Sequence, residues 1–149
     1  MNEAQAREEI EALHQFFVDW FGGLIAAQES TFDQRFVRRF HDSCELIQPS
    51  GNTLTREVFF QAVYDSYDSS PGFRIAIRNV RVRFSLPDGY SLVTYEEWQR
   101  NAVNSTPPNN ARAASVLFHR DSDGAAPLWL HIHETWLPPA DTPAARFDF

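Results

Sequence analysis

The sequence is poor in cysteine. Cys44 stands alone, so no intrachain disulfide can form, and without a CxxC or a Cys/His spacing no zinc site is written into the chain. Positive charge is also scarce. Thirteen Lys plus Arg face 20 Asp plus Glu, and the net charge of −7 argues against electrostatic capture of nucleic acid or of an anionic membrane. Long apolar runs are missing, and none approaches the ~20 residues that cross a bilayer. The opening MNEAQAREEIEAL is acidic and lacks a basic segment followed by an apolar one, so no signal peptide is read and the expected compartment is the cytoplasm.

Apolar and aromatic residues are abundant instead. A hydrophobic fraction of 43% with 13 Phe residues predicts a compact chain with a real core. The length of 149 residues suits one domain, 1–149, in which 138–149 forms a C-terminal tail. Residues 3 to about 27 carry Ile10, Leu13, Phe17, Trp20 and Leu24 at three- and four-residue spacing, an amphipathic helix with His14 off its apolar stripe. Ser30 and Thr31 can cap a second helix that buries Phe32, Phe36, Val37 and Phe40. A short extended segment, 43–51, ends at Pro49 and Gly51. Thr55 caps a third helix, Arg56 to about Ser66, that buries Val58, Phe59, Ala62 and Val63.

Four strands follow the break at Pro71-Gly72. In the first, Arg74 to Phe84, Ile75 and Ile77 are in one phase while Val80, Val82 and Phe84 are in the other, which predicts a bulge near Arg78-Asn79. Pro87-Asp88-Gly89 turns the chain into a hairpin with the strand from Tyr90 to about Gln99. NSTPPNN, 104–110, reads as a loop, Ala113 to His119 as a strand, Asp121 to Gly124 as a turn and Leu128 to Leu137 as the last strand. The tail DTPAARFDF either frays or docks Phe147 and Phe149 on a neighbour. Three helices followed by a bulged antiparallel sheet predict an α+β architecture with the helices on one face.

The last strand is chemically unusual. Across Trp129 to Trp136 the period-two alternation places His131 and His133 on one face, and Glu134 on the other with Leu130, Ile132 and Trp136. A carboxyl on the core side has a raised pKa unless it is paired, so Glu134 is either a pocket acid or one half of a structural ion pair. The two histidines lack a third ligand placed by spacing, so no metal is expected there. Arg74, Arg78, Arg81 and Arg83 face Glu96 and Glu97 on the next strand, where outer-face ion pairs are expected, and Arg78 at the bulge is the arginine positioned to turn inward.

In order and spacing, residues 5 to 137 resemble the nuclear transport factor 2-like superfamily. The pieces that carry the resemblance are Glu45-Leu46-Ile47-Gln48-Pro49-Ser50-Gly51, and Val116-Leu117-Phe118-His119-Arg120 followed by a turn and Trp129-Leu130-His131-Ile132-His133. The second piece is similar to the calcium/calmodulin-dependent kinase association domain and its relatives. The resemblance implies a cystatin-like cone of curved sheet around three N-terminal helices, a pocket at the open end, and dimers made through the outer face of the sheet. Ketosteroid isomerases in this superfamily need a carboxylate base with a tyrosine and a neutral acid as oxyanion donors. At the matching positions this chain has Gln48, Phe16 or Phe17, and Ser115, so all three roles are vacant and that chemistry is not expected.

The expected function is therefore the binding of a small apolar or polyketide-like molecule in a pocket lined by Phe17, Trp20, Gln48, Tyr64, Trp98, Ser115 and Glu134, in a homodimer and without a cofactor. The alternatives are a SnoaL-like cyclase, isomerase or dehydratase using Glu134 and a histidine for proton transfer, and a non-catalytic oligomerisation module.

Overall fold

A computed structural model describes residues 1–122 and 124–149. Helix α1, Glu3–Phe21, starts at a capping box in which the Asn2 side chain accepts from the Gln5 amide and the Gln5 side chain accepts from the Asn2 amide. It stops about six residues short of the expected end, because Gly22 caps it and Gly23 turns with a positive φ of 64°. A Cβ at Gly23 would collide with the side chain of Asp68, so only glycine fits that close approach. The buried face of α1 includes Ile10, Leu13 and Trp20 of the expected stripe together with Phe16 and His14, whereas Phe17 is half-buried and Leu24, beyond the end of the helix, is exposed.

The second helix is shorter than its apolar pattern suggests. Helix α2 spans Glu29–Arg35, a single 3-10 turn covers Val37–Arg39, and Phe40 already opens strand β1, Phe40–Ile47. Phe36 and Phe40 still meet, with ring centroids 4.9 Å apart, so the same aromatic pair is buried from strand geometry instead of helical spacing. A three-residue strand β2, Thr53–Thr55, leads into helix α3, Arg56–Asp65, whose first turn is capped by the Thr55 hydroxyl accepting from the Val58 amide. Val63 is buried on α3, but Val58 and Ala62 are exposed, which corrects their expected place in the core.

The remaining strands are β3 (Arg74–Ser85), β4 (Ser91–Arg100), β5 (Asn110–His119) and β6 (Leu128–Trp136), in a sheet of order β2-β1-β6-β5-β4-β3. The sheet is curved and does not close into a barrel. Its four other pairings are antiparallel, but β1 runs parallel to β6, so the sheet is mixed. The β3 register shifts between Arg78 and Arg81, where Asn79 takes a φ of 53°, which is the bulge expected from the phase change. A second irregularity in β6 was not legible from alternation. Phe118 pairs with Trp129 and Leu117 with His131, so Leu130 is the extra residue and Trp129 takes the inner place expected for Leu130. Of the turn expected over Asp121 to Gly124, Asp123 lies outside the described residues.

The core lies between the inner face of the sheet and α1 to α3, with Trp20, Phe16, Phe36, Phe118 and Trp129 fully buried. Glu9 ties α1 to the 3-10 turn through a 2.7 Å ion pair with Arg39 and to the sheet through a 2.9 Å hydrogen bond from the Trp129 indole. On the outer face the C-terminal tail docks on its own sheet. The Phe147 ring lies 5.1 Å from Trp98, and the guanidinium groups of Arg78 and Arg146 each stack on that indole at 4.5 Å. Arg78 also donates to the Arg146 carbonyl at 2.9 Å, so it clamps the tail on the outer face and does not turn inward.

Candidate functional site

Between α1, α3 and the inner face of the sheet lies a cavity of about 280 Å³. Its apolar walls are Leu13, Phe17 and Phe21 of α1, Phe59 of α3, and Trp129 and Ile132 of β6, and Ser66, Ser69 and Ser70 add polar groups. A volume equal to roughly nine waters, at ~30 Å³ each in the liquid, admits a compact organic molecule.

Strand pairing explains what sits on one wall. On the inner face Tyr95 is opposite Ala114, which is opposite Glu134; one step further along the strands Glu97 is opposite Arg112. The pleat sends these side chains inward together with Val93, Val116 and Ile132. The result is a charged cluster at an otherwise apolar interface, and Tyr95, Glu97, Arg112, Glu134 and His14 all line the cavity.

The hydrogen bonds assign the protons. His14 Nδ1 lies 2.7 Å from the Ile10 carbonyl, which only accepts, so Nδ1 carries a proton. Its Nε2 lies 3.2 Å from Glu97 Oε2, in a pair only 5% exposed on each side. With Glu97 ionised, Nε2 must donate as well and the ring is an imidazolium. Burial opposes charge on both partners. On His14 the Glu97 charge and hydrogen bond outweigh it and raise the pKa above the ordinary value. On Glu97 the charges of Arg112 and His14, with hydrogen bonds from His14 and Gln99, outweigh burial and bring the carboxyl down to about 2.

Glu134 is placed differently. Its Oε2 accepts from Arg112 Nη1 at 3.0 Å, yet burial, with the nearby Glu97 charge, holds its pKa above the usual carboxylate range. Among the described residues no group bonds its Oε1, which is not fully buried, and Glu134 lines the cavity. Arg112 is only partly satisfied: Nη2 donates to Asn110 Oδ1 at 3.3 Å, but its fully buried Nε has no acceptor.

The seven residues expected in the pocket divide. Phe17, Gln48 and Glu134 line the cavity. Trp20 lies in the core beside it, with its indole donating to the Val63 carbonyl at 3.0 Å. Tyr64 is exposed on α3. Trp98 is on the outer face beneath the tail, and Ser115 is opposite His133 in the phase that points away from the cavity. The Trp136 side chain is exposed, with the Arg112 guanidinium over its ring at 5.0 Å. His14, Glu97 and Arg112 were missed as a group: His14 reads as solvated and Glu97 as an outer-face partner. Phase along β4 was the available signal, because Val93, Tyr95, Glu97 and Gln99 alternate together, but Trp98 competes for the inner side. His133 is exposed and His131 half-buried on the other face, and no group of three His, Cys, Asp or Glu able to hold a metal occurs among the described residues.

This arrangement of three helices on an open, bulged sheet has close structural relatives. An NTF2-like protein of unknown function from Pseudomonas aeruginosa superposes with a TM-score of 0.78 at 25% identity, over 90% of this chain and 99% of that one. A candidate dehydratase of the NTF2-like family from Streptomyces avermitilis matches with a TM-score of 0.65 at 12% identity, covering 91% and 96% of the two chains. The association domain of Caenorhabditis elegans calcium/calmodulin-dependent kinase II matches with a TM-score of 0.58 at 13% identity, covering 89% and 97%. No protein-family model matches the sequence, and no curated protein is significantly similar to it. The chain has the nuclear transport factor 2-like, cystatin-like fold.

Proposed function

We propose that this chain binds a small, largely apolar molecule in the cavity between α1, α3 and the sheet, with one polar group of the ligand meeting Glu134. The observation that carries the reading is the unbonded Oε1 of a carboxyl that is otherwise buried and paired, on a residue lining a mainly apolar cavity. Ligand pockets combine mainly apolar walls with a few convergent polar groups, and typical volumes start at roughly 300 Å³, close to this one. Tetralin, a compact bicyclic hydrocarbon, is therefore expected to bind wild-type protein in calorimetric titration. Ala62 stands on α3 at the cavity and is exposed, so Ala62→Trp fills the entrance without disturbing the core and should abolish the heat of binding. Equal binding by that variant would place tetralin elsewhere and remove this reading.

A second reading rests on the two carboxyls being driven in opposite directions, Glu97 down and Glu134 up, which is the pattern of an acid–base pair of sites. In that reading Glu134 exchanges a proton with the bound molecule, as in a SnoaL-like cyclase, isomerase or dehydratase. His14 only orients and balances Glu97, because both of its nitrogens are engaged. Loss of turnover in Glu134→Gln with tetralin binding retained separates catalysis from binding alone.

The tail covers the β3–β4 part of the outer face, while His133 and Thr135 on β6 remain exposed. We infer that copies of the chain pair through the β5–β6 part of this face, in keeping with the expected homodimer. Light scattering at micromolar concentration should then return twice the 17.1 kDa chain mass, and His133→Glu should halve it; a monomeric wild type would remove the interface.

A further inference from the structure

The cavity wall holds a further unbonded polar atom besides Glu134 Oε1. Among the described residues nothing bonds the Tyr95 hydroxyl, which is not fully buried, and Tyr95 lines the cavity. Tyr95 and Glu134 stand on one cross-strand row of the inner face with only the small Ala114 between them. Two strand spacings of ~4.8 Å separate their backbones, and both residues line the same cavity.

The two free groups are chemically complementary to one kind of ligand atom. A phenol hydroxyl donates and a carboxylate oxygen accepts. The cationic donors nearby are engaged or out of reach: both His14 nitrogens are bonded, Arg112 bonds Glu134 and Asn110, and its one unbonded nitrogen, Nε, is fully buried. A ligand carboxylate would find no free cation and would face Glu97 and Glu134. A ligand alcohol would accept from Tyr95 and donate to Glu134.

We propose that the pocket selects neutral, compact alcohols, held by Tyr95 Oη donating to the ligand oxygen and Glu134 Oε1 accepting its proton, and rejects the corresponding carboxylates. This assignment rests on the ligand-binding reading above and narrows it to a substrate class. Burial, reinforced by the Glu97 and Glu134 charges, holds the Tyr95 pKa well above its ordinary value, so the phenol keeps the proton it donates.

The test compares tetralin, 2-tetralol and tetralin-2-carboxylate by calorimetry at neutral pH. Wild-type protein is expected to bind 2-tetralol about tenfold more tightly than tetralin, the gain of two net hydrogen bonds of modest strength, and to bind the carboxylate more weakly than either. Tyr95→Phe and Glu134→Gln should each remove most of that advantage, read as the ratio of 2-tetralol to tetralin affinity within the same variant. Both changes keep the fold, since the Tyr95 hydroxyl bonds nothing in the protein and the amide oxygen introduced by Glu134→Gln still accepts from Arg112. Equal affinities for tetralin and 2-tetralol, an advantage that survives both substitutions, or preferential binding of the carboxylate would overturn the alcohol assignment and leave the pocket standing. If none of the three compounds binds, the pocket reading and the alcohol assignment fall together.

Discussion

Replacing Arg112 by Ala is expected to destabilise the fold by about 3–5 kcal/mol, the range for removing one member of a buried ion-pair network. Arg112 stands opposite Glu97 on the neighbouring strand and bonds Glu134 diagonally at 3.0 Å, and its side chain is only 14% exposed. Without it two carboxyls remain at an apolar floor with His14, among the described residues, as the only cation facing them, and one must take up a proton. The packing of the guanidinium over Trp136 is lost as well. Because protonation relieves the unpaired charge, the variant should regain stability as the pH falls from 7 to 5. Arg112→Lys keeps the charge but not the fork that reaches Glu134 and Asn110 together, so it should recover only part of the loss. Urea unfolding measures both; a loss below ~1 kcal/mol for Arg112→Ala would mean that the cluster does not depend on this residue.

The second large effect is on pH dependence. Glu97 has a folded pKa of about 2 against an ordinary 4.5, so its contribution is present above pH 4.5 and is lost as the pH falls toward 2. At ~1.4 kcal/mol per unit that is about 3 kcal/mol of acid-sensitive stability. His14 is shifted up, so its contribution is present below 6.5 and disappears as the pH rises through its folded pKa. Glu134, also shifted up, adds a cost that develops as the pH climbs above 4.5. The three together place the maximum of stability in mild acid, between about pH 4.5 and 6.5, with a decline toward neutrality and beyond. In His14→Gln the decline above pH 6.5 should shrink, because the variant side chain has no proton to lose there. A wild-type stability that stays level from pH 5 down to 2 would contradict the assignment of Glu97 as an ionised partner.

Local chemistry was legible in the sequence. The Thr55 cap, the apolar stripe of α1 and the bulge at Arg78-Asn79 follow from residue type and phase, and so does the inward direction of Glu134. The charged cluster was not, for two physical reasons. His14 and Glu97 are 83 residues apart, and the bond between them depends on how α1 lies across the sheet, which no local pattern encodes. The alternation along β4 was also masked, because the tail buries Trp98 on the outer face while Glu97 and Tyr95 are buried on the inner one. A strand covered on both sides loses the contrast on which phase assignment depends. In β6 the single extra residue, Leu130, exchanged the places of Leu130 and Trp129, since a one-residue slip moves a side chain to the opposite face. The early start of β1 at Phe40 reflects the same limit: an aromatic residue spaced for a helix satisfies the core equally well from a strand.

The central claim is that the cavity against Glu134 is a ligand site. Diffraction at the bromine absorption edge from crystals soaked in 6-bromotetralin tests it most directly, because the anomalous signal marks the position of the ligand without reference to any expectation. The bromine peak is predicted inside the cavity, among Phe17, Phe59 and Ile132. A peak confined to the exposed surface, with the cavity holding only water at a saturating concentration, would contradict the claim.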